Sequence, residues 1–567
     1  MNAVSRKLLS VLIACMLLTV SLMPLAGAEE EYAEEQVLNL TYQDLNLIDV
    51  NDVRNSNEFQ VLTEVQEGLF RTFSSEDHTD VAVLAGAESY EVSEDGLTYT
   101  FHLRPECKWS DGVPVTAQNY VDSWLRLIDP EEAFAYAELA FGIAGAESYY
   151  EGEGAREDVA IALIDDLTFS ATLAEPDAAF LKKIGMVPFY PIRKDLIDAA
   201  KENGGNWTND YQLHVFNGPF VIADRVLENS MTLVKNEEYW DKDNVYITQV
   251  NLRVVPESST QAQLMESQQL DFLKLEDIEY VDQWQRYVDN GTFQYFSQTA
   301  PSVTYIAFDM HDDANGGPSG LMKNEKIRLA ISLAFDREEY NLLFQNGLST
   351  PAYSLVPYGM VVGDKEMRAA CDEPLLGLQA QYTDLRALFE EGLKEVGFEG
   401  TPEDVTLTTI IYSPTTLTTN INEWYKQQLK DKIGLNLNVE VYPDTSTWVS
   451  ARNAYQYDFY TMGWFGDFND PITFLNLFTT GNGYARFMGG FSDSEYDALI
   501  AKASSSQDDA ERLQLYIDAE KILMERGGTA PIYFAQNQYY SQSYVTGLSY
   551  PTFGAEFEFS RVRLLKH

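Results

Sequence analysis

The feature that most constrains the fold is a strand–helix–strand pattern in residues 405–442. The segment "VTLTTIIY" has the composition of a β-strand, and "TNINEWYKQQLKDKIG" has that of a helix ending at Gly434. In "LNLNVEVY", which follows, apolar and polar residues alternate as they do in a half-buried strand. Because two strands joined through a helix most simply form a right-handed parallel crossover, we predict an α/β fold with an open sheet.

A further strand follows this unit and ends in an acidic turn. The segment "YDFYTMGWF" (residues 457–465) runs into "GDFND", so that Trp464 and Phe465 directly precede two carboxylates, Asp467 and Asp470. A strand with a capped turn would explain this order without any function. Ligands of open α/β sheets, however, bind beyond the carboxyl ends of strands. The stretch is therefore also a candidate binding wall, with apolar surface, accessible backbone and one acid for a cationic ligand.

Length and charge limit the architecture and the partners. At 567 residues the chain is too long for one hydrophobic core and predicts about three or four domains. The formal net charge of -49 argues against nucleic acid as a partner, because phosphate binding needs clustered Lys and Arg. The same acidic field favours cationic ligands.

The N-terminus has the pattern of a secretory signal peptide. Arg6 and Lys7 precede a long apolar run, and small residues lead into "EEE", which predicts cleavage after Ala28. Cys15 loosely resembles a lipoprotein processing site, but the apolar run continues beyond it, so lipid anchoring is left open. No other segment reaches about eighteen uninterrupted apolar residues, so we expect no membrane span. The signal peptide predicts an exported protein at the periplasmic or cell-surface side of the membrane.

The sequence offers little for catalysis or metal binding. Its five His residues form no zinc pattern, and we find no nucleophile elbow and no phosphate-binding loop. Asp467 and Asp470 could form an acid–base pair for glycoside cleavage, but carboxylates three residues apart beside a turn are more often caps. Beyond the signal peptide only Cys107 and Cys371 remain, and we favour two buried free thiols over a disulfide. We therefore expect no cofactor and no metal.

Five stretches, in order along the chain, resemble segments of one protein family. They are "EGLF" (67–70), Tyr99–Pro130, Asn217–Asp241, Ile327–Glu338 and the strand-and-turn motif. Through them the chain, from about residue 39 to its C-terminus, is similar to the oligopeptide-binding proteins of bacterial ABC importers, the family 5 extracellular solute-binding proteins.

The resemblance implies a periplasmic-binding-protein-like α/β fold with two lobes, a hinge and an extra accessory domain (cluster C type). In this division, residues 29–66, 195–300 and 537–567 form lobe I, residues 67–194 the accessory domain, and residues 301–536 lobe III. The hinge candidates lie near residues 195, 300 and 537.

The function that the resemblance implies is that of a substrate-binding subunit without enzymatic activity. A monomer would close its lobes around a short peptide and deliver it to ABC permease subunits in the membrane. Related proteins with this fold take nickel chelates, haem or oligosaccharides, so a non-peptide solute is the alternative. A secreted hydrolase is an alternative from another class, and it would need catalytic groups that the sequence does not offer.

The resemblance also implies a set of binding residues. In family members with an Asp in this turn, that Asp pairs with the peptide ammonium, which indicates Asp467 here. The family's peptide-pairing strand corresponds to Gly463, Trp464 and Phe465. Asp467 would thus lie at the end of a strand that holds the peptide backbone.

Other positions are implied for the remaining walls of the site. Val53–Ser56 resembles the facing segment of the other lobe, and its candidate binding residues are Val53, Arg54 and Asn55. The family often has an acidic residue in place of Arg54. Arg452 corresponds to an Arg that meets the peptide carboxylate in some members. The remaining candidates replace further basic groups or form an aromatic wall: Thr461, Thr418, Tyr136 and Phe141.

Overall fold

The computed structural model describes residues 31–74, 80–275, 279–484 and 487–567. The predicted signal peptide, including Cys15, lies outside these residues. Buried apolar side chains form three large clusters. The first takes its residues from Leu38–Val65, Val187–Phe272 and Tyr539–Leu564. The second lies within Leu69–Phe189 and the third within Val303–Phe534. The first two clusters interleave, because Val187 packs in one and Phe189 in the other. The exact domain boundaries given above therefore stay a prediction.

Lobe I is built on a four-stranded sheet. In spatial order, its strands are Val37–Tyr42, Gln249–Val254, Ser230–Lys235 and Phe220–Val226. The first two strands are parallel and the other pairs are antiparallel. The carboxyl ends of the two parallel strands therefore open at the same edge of the sheet.

The accessory domain contains a four-stranded antiparallel sheet with the order Ala87–Val92, Thr98–Leu103, Thr168–Thr172 and Ile161–Asp165. The helix Ala117–Leu127 begins directly after Thr116, and the Asn119 side chain accepts a hydrogen bond from the Thr116 N–H at 2.9 Å. The strand Thr98–Leu103 ends where it does because Pro105, two residues on, has no N–H to continue the ladder.

Lobe III contains most of a seven-stranded sheet. Its main path is Phe272–Lys274, Ala530–Gln542, Phe293–Phe308, Phe459–Phe465, Thr406–Tyr412 and Asn436–Tyr442, and Thr350–Pro351 pairs with the second strand. Thr406–Tyr412 and Asn436–Tyr442 are parallel in full register and are joined by the helix Thr416–Lys432. The predicted parallel strand–helix–strand unit is confirmed.

Two long strands, Phe293–Phe308 and Ala530–Gln542, connect the lobes, and we call them the crossing strands. They pair with each other along most of their length. Val303 and Phe534 are buried in the third cluster, whereas Phe293 and Tyr540, toward the other end of the pair, are buried in a fourth, smaller cluster. Their register shifts between Thr299 and Val303. Two of the three hinge candidates, near residues 300 and 537, lie on these strands, whereas residue 195 lies in the helix Lys194–Glu202.

The remaining elements surround these sheets. The helices Glu325–Ala334 and Arg337–Phe344 are separated by a short break, and Asp336 Oδ1 caps the second by accepting from the Glu339 N–H at 3.0 Å. The other α-helices are Ser56–Val65, Ala146–Tyr150, Phe180–Ile184, Lys194–Glu202, Ser258–Glu266, Glu279–Asp289, Met367–Ala370, Pro374–Gln381, Leu385–Glu395, Thr445–Asn453, Ile472–Leu475, Ser494–Ser505 and Asp509–Glu525. Short antiparallel strand pairs join Phe70–Ser74 with Asp80–Leu84, Val361–Val362 with Lys365–Glu366, and Val545–Thr546 with Arg563–Leu564. Among the described helices, none has both the length and the apolar composition to cross a membrane.

Candidate ligand-binding site

A cavity of about 490 Å³ lies where the crossing strands pass between the lobes. Both lobes and the accessory domain contribute to its walls, and part of the contribution of lobe I comes from the C-terminal segment. The lining includes Arg54, Asn55, Ser56, Phe59, Tyr136, residues 298–302, residues 465–467, Ala535, Asn537, Tyr539 and residues 551–556. A cavity of this size, lined by apolar groups and a few polar ones, is typical of a small-molecule or peptide site.

The strand Phe459–Phe465 leads into this cavity with one edge open. One edge pairs residue by residue with Ser302–Phe308, but on the other edge only Phe459 pairs, with Thr409. Within the described part of the chain, the backbone beyond Phe459 therefore has no strand partner on that side. An open edge of this kind can take an extended peptide as an additional strand, through hydrogen bonds that do not depend on the peptide's sequence.

The side chains of this strand also suit a ligand. Phe465 is 50% exposed, although Phe side chains are usually buried in the folded state. Among the described residues, the buried Nε1–H of Trp464 has no acceptor. At Gly463, an added Cβ would meet only the Val303 carbonyl oxygen, at 3.8 Å, so packing within the protein does not require glycine here. This strand presents apolar surface and a hydrogen-bond donor that the protein itself does not use.

The turn after the strand places Asp467 in the cavity. Gly466 is needed for close packing, since a Cβ would lie 2.9 Å from the Phe474 ring, and its N–H donates to the Pro301 carbonyl at 2.7 Å. Thr473 then fixes Asp467 from the other side: its Oγ1 accepts from the Asp467 N–H at 2.9 Å and lies 3.3 Å from the carboxylate Oδ2. The turn is thus tied both to a crossing strand and to the helix Ile472–Leu475.

Asp467 has a perturbed carboxyl group. Burial raises its pKa to about 6, the hydrogen bond from Thr473 opposes this shift, and the charge of Glu138 adds to it. No Lys, Arg or His of the described residues forms an ion pair with Asp467. A desolvated carboxylate without a cation is costly, and a bound cation would remove that cost.

Asp470, three residues on, has a different role. It is fully buried, its Oδ2 lies 2.6 Å from Arg512 Nη2 and 3.2 Å from Lys182 Nζ, and its Oδ1 accepts from the Ile472 N–H at 3.2 Å. The turn cap that the sequence predicts is present, but the carboxylate is also the centre of a buried ion-pair network. It does not line the cavity, so the two carboxylates are not arranged as an acid–base pair facing a substrate.

Lys182 connects the accessory domain to lobe III at this turn. Its ammonium donates to the carbonyl oxygens of Val361, at 3.1 Å, and Asn469, and it contacts Asp470. These contacts tie the accessory domain to the turn that carries Asp467.

The structure brings five of the predicted site residues to the cavity. They are Arg54, Asn55, Tyr136, Phe465 and Asp467. Tyr136 packs edge-on against Phe59, with ring centroids 5.7 Å apart, and Asn55 also caps the helix Ser56–Val65. Arg54 Nη2 donates to Asp52 Oδ1 at 2.7 Å, so its guanidinium is already engaged within lobe I.

The other seven predicted residues do not line this cavity. Val53 is buried, whereas Thr461, Gly463 and Trp464 lie on the strand that leads into the cavity. Thr418 forms hydrogen bonds with Thr415 at a helix N-terminus. Phe141 lines a separate cavity of about 370 Å³, and the Arg452 guanidinium lies over the Phe487 ring, 4.4 Å from its centroid. Ligand binding by these residues stays a prediction.

Sequence reasoning missed Lys182, Lys274 and Glu556. Lys274 and Glu556 line the cavity, because pairing and packing bring together segments that lie far apart in the chain. No local pattern in the sequence marks such residues.

Among the described residues there is no group of three or more His, Cys, Asp or Glu side chains that could hold a metal. Cys107 is a buried free thiol and Cys371 is a partly buried one.

Two lobes joined by crossing strands around a cavity define an extracytoplasmic solute-binding protein. The family described as "Bacterial extracellular solute-binding proteins, family 5 Middle" matches residues 82–486, well over half of the chain, and the chain belongs to this family. The dipeptide-binding protein DppE of Bacillus subtilis is 29% identical over 495 residues, which cover 87% of this chain and 86% of the relative.

Solved structures agree with this assignment. The substrate-binding domain of an oligopeptide ABC transporter from Bacillus anthracis is 29% identical, with a TM-score of 0.73 over 95% of this chain and 100% of its own. OppA of Listeria monocytogenes, solved with a bound peptide, is 28% identical, with a TM-score of 0.72 over 94% of this chain and 100% of its own. The predicted fold class, two α/β lobes with an accessory domain, is confirmed.

Proposed function

We propose that this protein binds short peptides between its two lobes and delivers them to the permease of an ABC importer. The observation that carries the proposal is Asp467, a desolvated carboxylate without a protein cation, at the end of a strand whose edge is open. A peptide supplies both missing partners, because its backbone can pair with the strand and its terminal ammonium with the carboxylate. A neutral oligosaccharide would leave Asp467 uncompensated.

The protein acts outside the cytoplasm, in keeping with its family, and we infer that it is exported by the signal peptide of residues 1–28. Its relatives named above are a dipeptide-binding protein and peptide-bound OppA, which supports a peptide as the solute. We propose a monomer that holds its ligand without changing it chemically.

We expect one peptide to bind per protein molecule and to remain intact. The cavity offers an ammonium site, but the second nearby carboxylate, Asp470, is buried in an ion-pair network. Calorimetry with a defined tetrapeptide measures the stoichiometry, and mass spectrometry after prolonged incubation measures cleavage. Peptide fragments that appear in proportion to pure protein would contradict the proposal.

We also expect the lobes to close on the peptide. An enclosed ligand can enter only if the cleft opens, and the crossing strands with their irregular register near Ala300 are the joint. Small-angle scattering should show a smaller radius of gyration when peptide is added to protein that has been unfolded, dialysed free of ligand and refolded. The N-acetylated form of the same peptide is the control. An unchanged profile at saturating free peptide would rule out closure on binding.

Peptide affinity should depend on pH with a maximum between about pH 6 and 8. Asp467, with a pKa of about 6 in the ligand-free protein, must be ionised to bind an ammonium, so affinity falls by up to about tenfold per pH unit below that value. Above about pH 8 the α-amino group of the peptide loses its proton and affinity falls again. Calorimetry from pH 4.5 to 9.5 tests this, with Asp467→Asn as the control that lacks the acid limb. The same acid limb in wild type and in Asp467→Asn would show that another group is responsible.

A further inference from the structure

The cavity of about 490 Å³ lies beyond the carboxyl end of the strand Phe459–Phe465 and not beside it. Ser302 is the pairing partner of Phe465, and residues 298–301, which also line the cavity, lie on the crossing strand past that point. The cavity therefore begins where the strand with the open edge ends, next to Asp467.

This placement decides which part of a bound peptide can reach the cavity. With its ammonium at Asp467 and its backbone paired along the open edge from Phe465 toward Phe459, a peptide runs away from the cavity. Its first Cα carries both the ammonium and the first side chain, so that side chain lies at the mouth of the cavity. The second side chain points to the opposite face of the extended chain, and the third begins about 6–7 Å farther back along the strand. The cavity is therefore open to the first side chain alone.

Aromatic side chains reach the cavity from both lobes and from the accessory domain. Five rings and one thioether line it: Phe59, Tyr136, Phe465, Tyr539, Phe553 and Met186. The Phe553 ring packs against the turn, since a Cβ at Gly466 would lie 3.1 Å from it. Rings in such a wall pack well against a large apolar side chain, and a Met thioether adapts to its shape.

The charged side chains of the wall are already engaged, with one exception. Arg54 Nη2 donates to Asp52, and Lys274 Nζ lies 2.7 Å from Glu556 Oε1. Among the described residues of the wall, Asp467 alone lacks an oppositely charged partner, and in the proposed function the ammonium occupies it. A first side chain with a charge of its own would therefore lose hydration without gaining an ion pair.

We propose that this cavity selects peptides by their first residue and that it prefers a large apolar side chain, above all an aromatic one. The inference rests on the proposed function and adds the class of peptide. When Phe or Leu is the first residue, its side chain is buried against the rings and the water that fills the cavity returns to the solvent. The preference requires closed lobes, because the rings come from both of them.

A bulky substitution at the far end of the cavity tests the inference. Asn537 lines the cavity and pairs with Gln298, which lies well past Ser302 and thus beyond the end of the open strand. Asn537→Trp would fill this end and leave the turn with Asp467 unchanged. Ser297, next to Gln298, is exposed and does not line the cavity, so Ser297→Trp is the matched control on the crossing strands.

Calorimetry compares five tetrapeptides that have Phe, Leu, Ala, Lys or Glu as the first residue, each followed by Ala-Ala-Ala. We expect wild-type protein to bind Phe-Ala-Ala-Ala at least about tenfold more tightly than Ala-Ala-Ala-Ala, because full burial of a large apolar side chain typically gives that factor or more. Leu should also bind more tightly than Ala, whereas Lys and Glu should bind no better than Ala.

In Asn537→Trp, the advantage of Phe over Ala as the first residue should fall to about threefold or less. Binding of Ala-Ala-Ala-Ala should change by less than about twofold, because the ammonium site is distant from the substitution. Ser297→Trp should keep the full advantage. The peptide Ala-Phe-Ala-Ala, in which the ring is at the second position, should bind equally to Asn537→Trp and to wild-type protein.

Wild-type protein that binds all five peptides equally, or that prefers Lys or Glu at the first position, would overturn the inference and leave the proposed function intact. An equal loss of affinity for the Phe and Ala peptides in folded Asn537→Trp would overturn it as well. The comparison on wild-type protein decides the inference even if the variant does not fold. If wild-type protein binds none of the peptides, the proposed function fails and the inference fails with it.

Discussion

Replacement of Asp467 by Asn should lower the affinity for a peptide with a free amino terminus by about two to three and a half orders of magnitude. Loss of one partner from a buried ion pair typically costs about 3–5 kcal/mol, because the remaining charge stays desolvated. At about 1.4 kcal/mol per factor of ten, that cost gives the stated range. A solvent-exposed carboxylate would contribute at most about 1 kcal/mol.

A double-mutant cycle by calorimetry separates this contact from others. N-acetylation of the peptide removes the ammonium, and Asp467→Asn removes the carboxylate. Because both changes break the same contact, we expect each alone to abolish tight binding and the second to add little to the first. Acetylation that costs less than threefold would show that Asp467 does not recognise the amino terminus.

The same substitution should stabilise the ligand-free protein, which provides a control for folding. Burial raises the pKa of Asp467 from 3.8 to about 6, so the folded state is favoured while the carboxyl is protonated. That contribution is present below about pH 4 and is lost as the pH rises through 6. At pH 7, Asp467→Asn should therefore raise the melting temperature of ligand-free protein, while leaving it nearly unchanged at pH 4.

Asp470→Asn should have the opposite effect and destabilise the protein by about 3–5 kcal/mol, since it breaks a buried pair. The Arg512 side chain, 5% exposed, lies 2.6 Å from Asp470 and 2.8 Å from Asp509, which is 54% exposed. Without Asp470, the buried side of the guanidinium has no carboxylate.

Urea unfolding of ligand-free protein measures this effect. Asp509→Asn is the matched control, because it removes the exposed partner of the same Arg and should cost no more than about 1 kcal/mol. Equal destabilisation by Asp470→Asn and Asp509→Asn would contradict a buried network at Asp470. If Asp470→Asn destabilises the protein as expected, any weaker peptide binding by this variant follows from a loosened turn and not from a lost ligand contact.

The parts of the fold that depend on local periodicity could be predicted from the sequence. The alternation before Tyr442 and the helix before Gly434 fix a parallel crossover, and the crossover predicts where a ligand binds. Asp467 was accessible to this reasoning because it directly follows a strand of that sheet. The position of a residue relative to its own strand can be predicted from the local sequence.

Contacts between distant segments could not be predicted in this way. Lys274 meets Glu556 only after a short strand pairs with residues 539–541, and Lys182 meets Asp470 only when the accessory domain packs on lobe III. Such contacts depend on how separate units are placed together. Arg452, which the resemblance predicts to meet a peptide carboxylate, has its guanidinium over the Phe487 ring, and its contact with a peptide stays a prediction.

The central claim, that the bound solute is a peptide, is tested most directly by mass spectrometry of whatever co-purifies. Protein purified without denaturation is unfolded in acid, and the released small molecules are identified and counted per protein. The account predicts a mixture of short peptides with free amino termini, in total close to one per protein, and a much smaller amount from Asp467→Asn. A single metal chelate, haem or an oligosaccharide in that amount would contradict it.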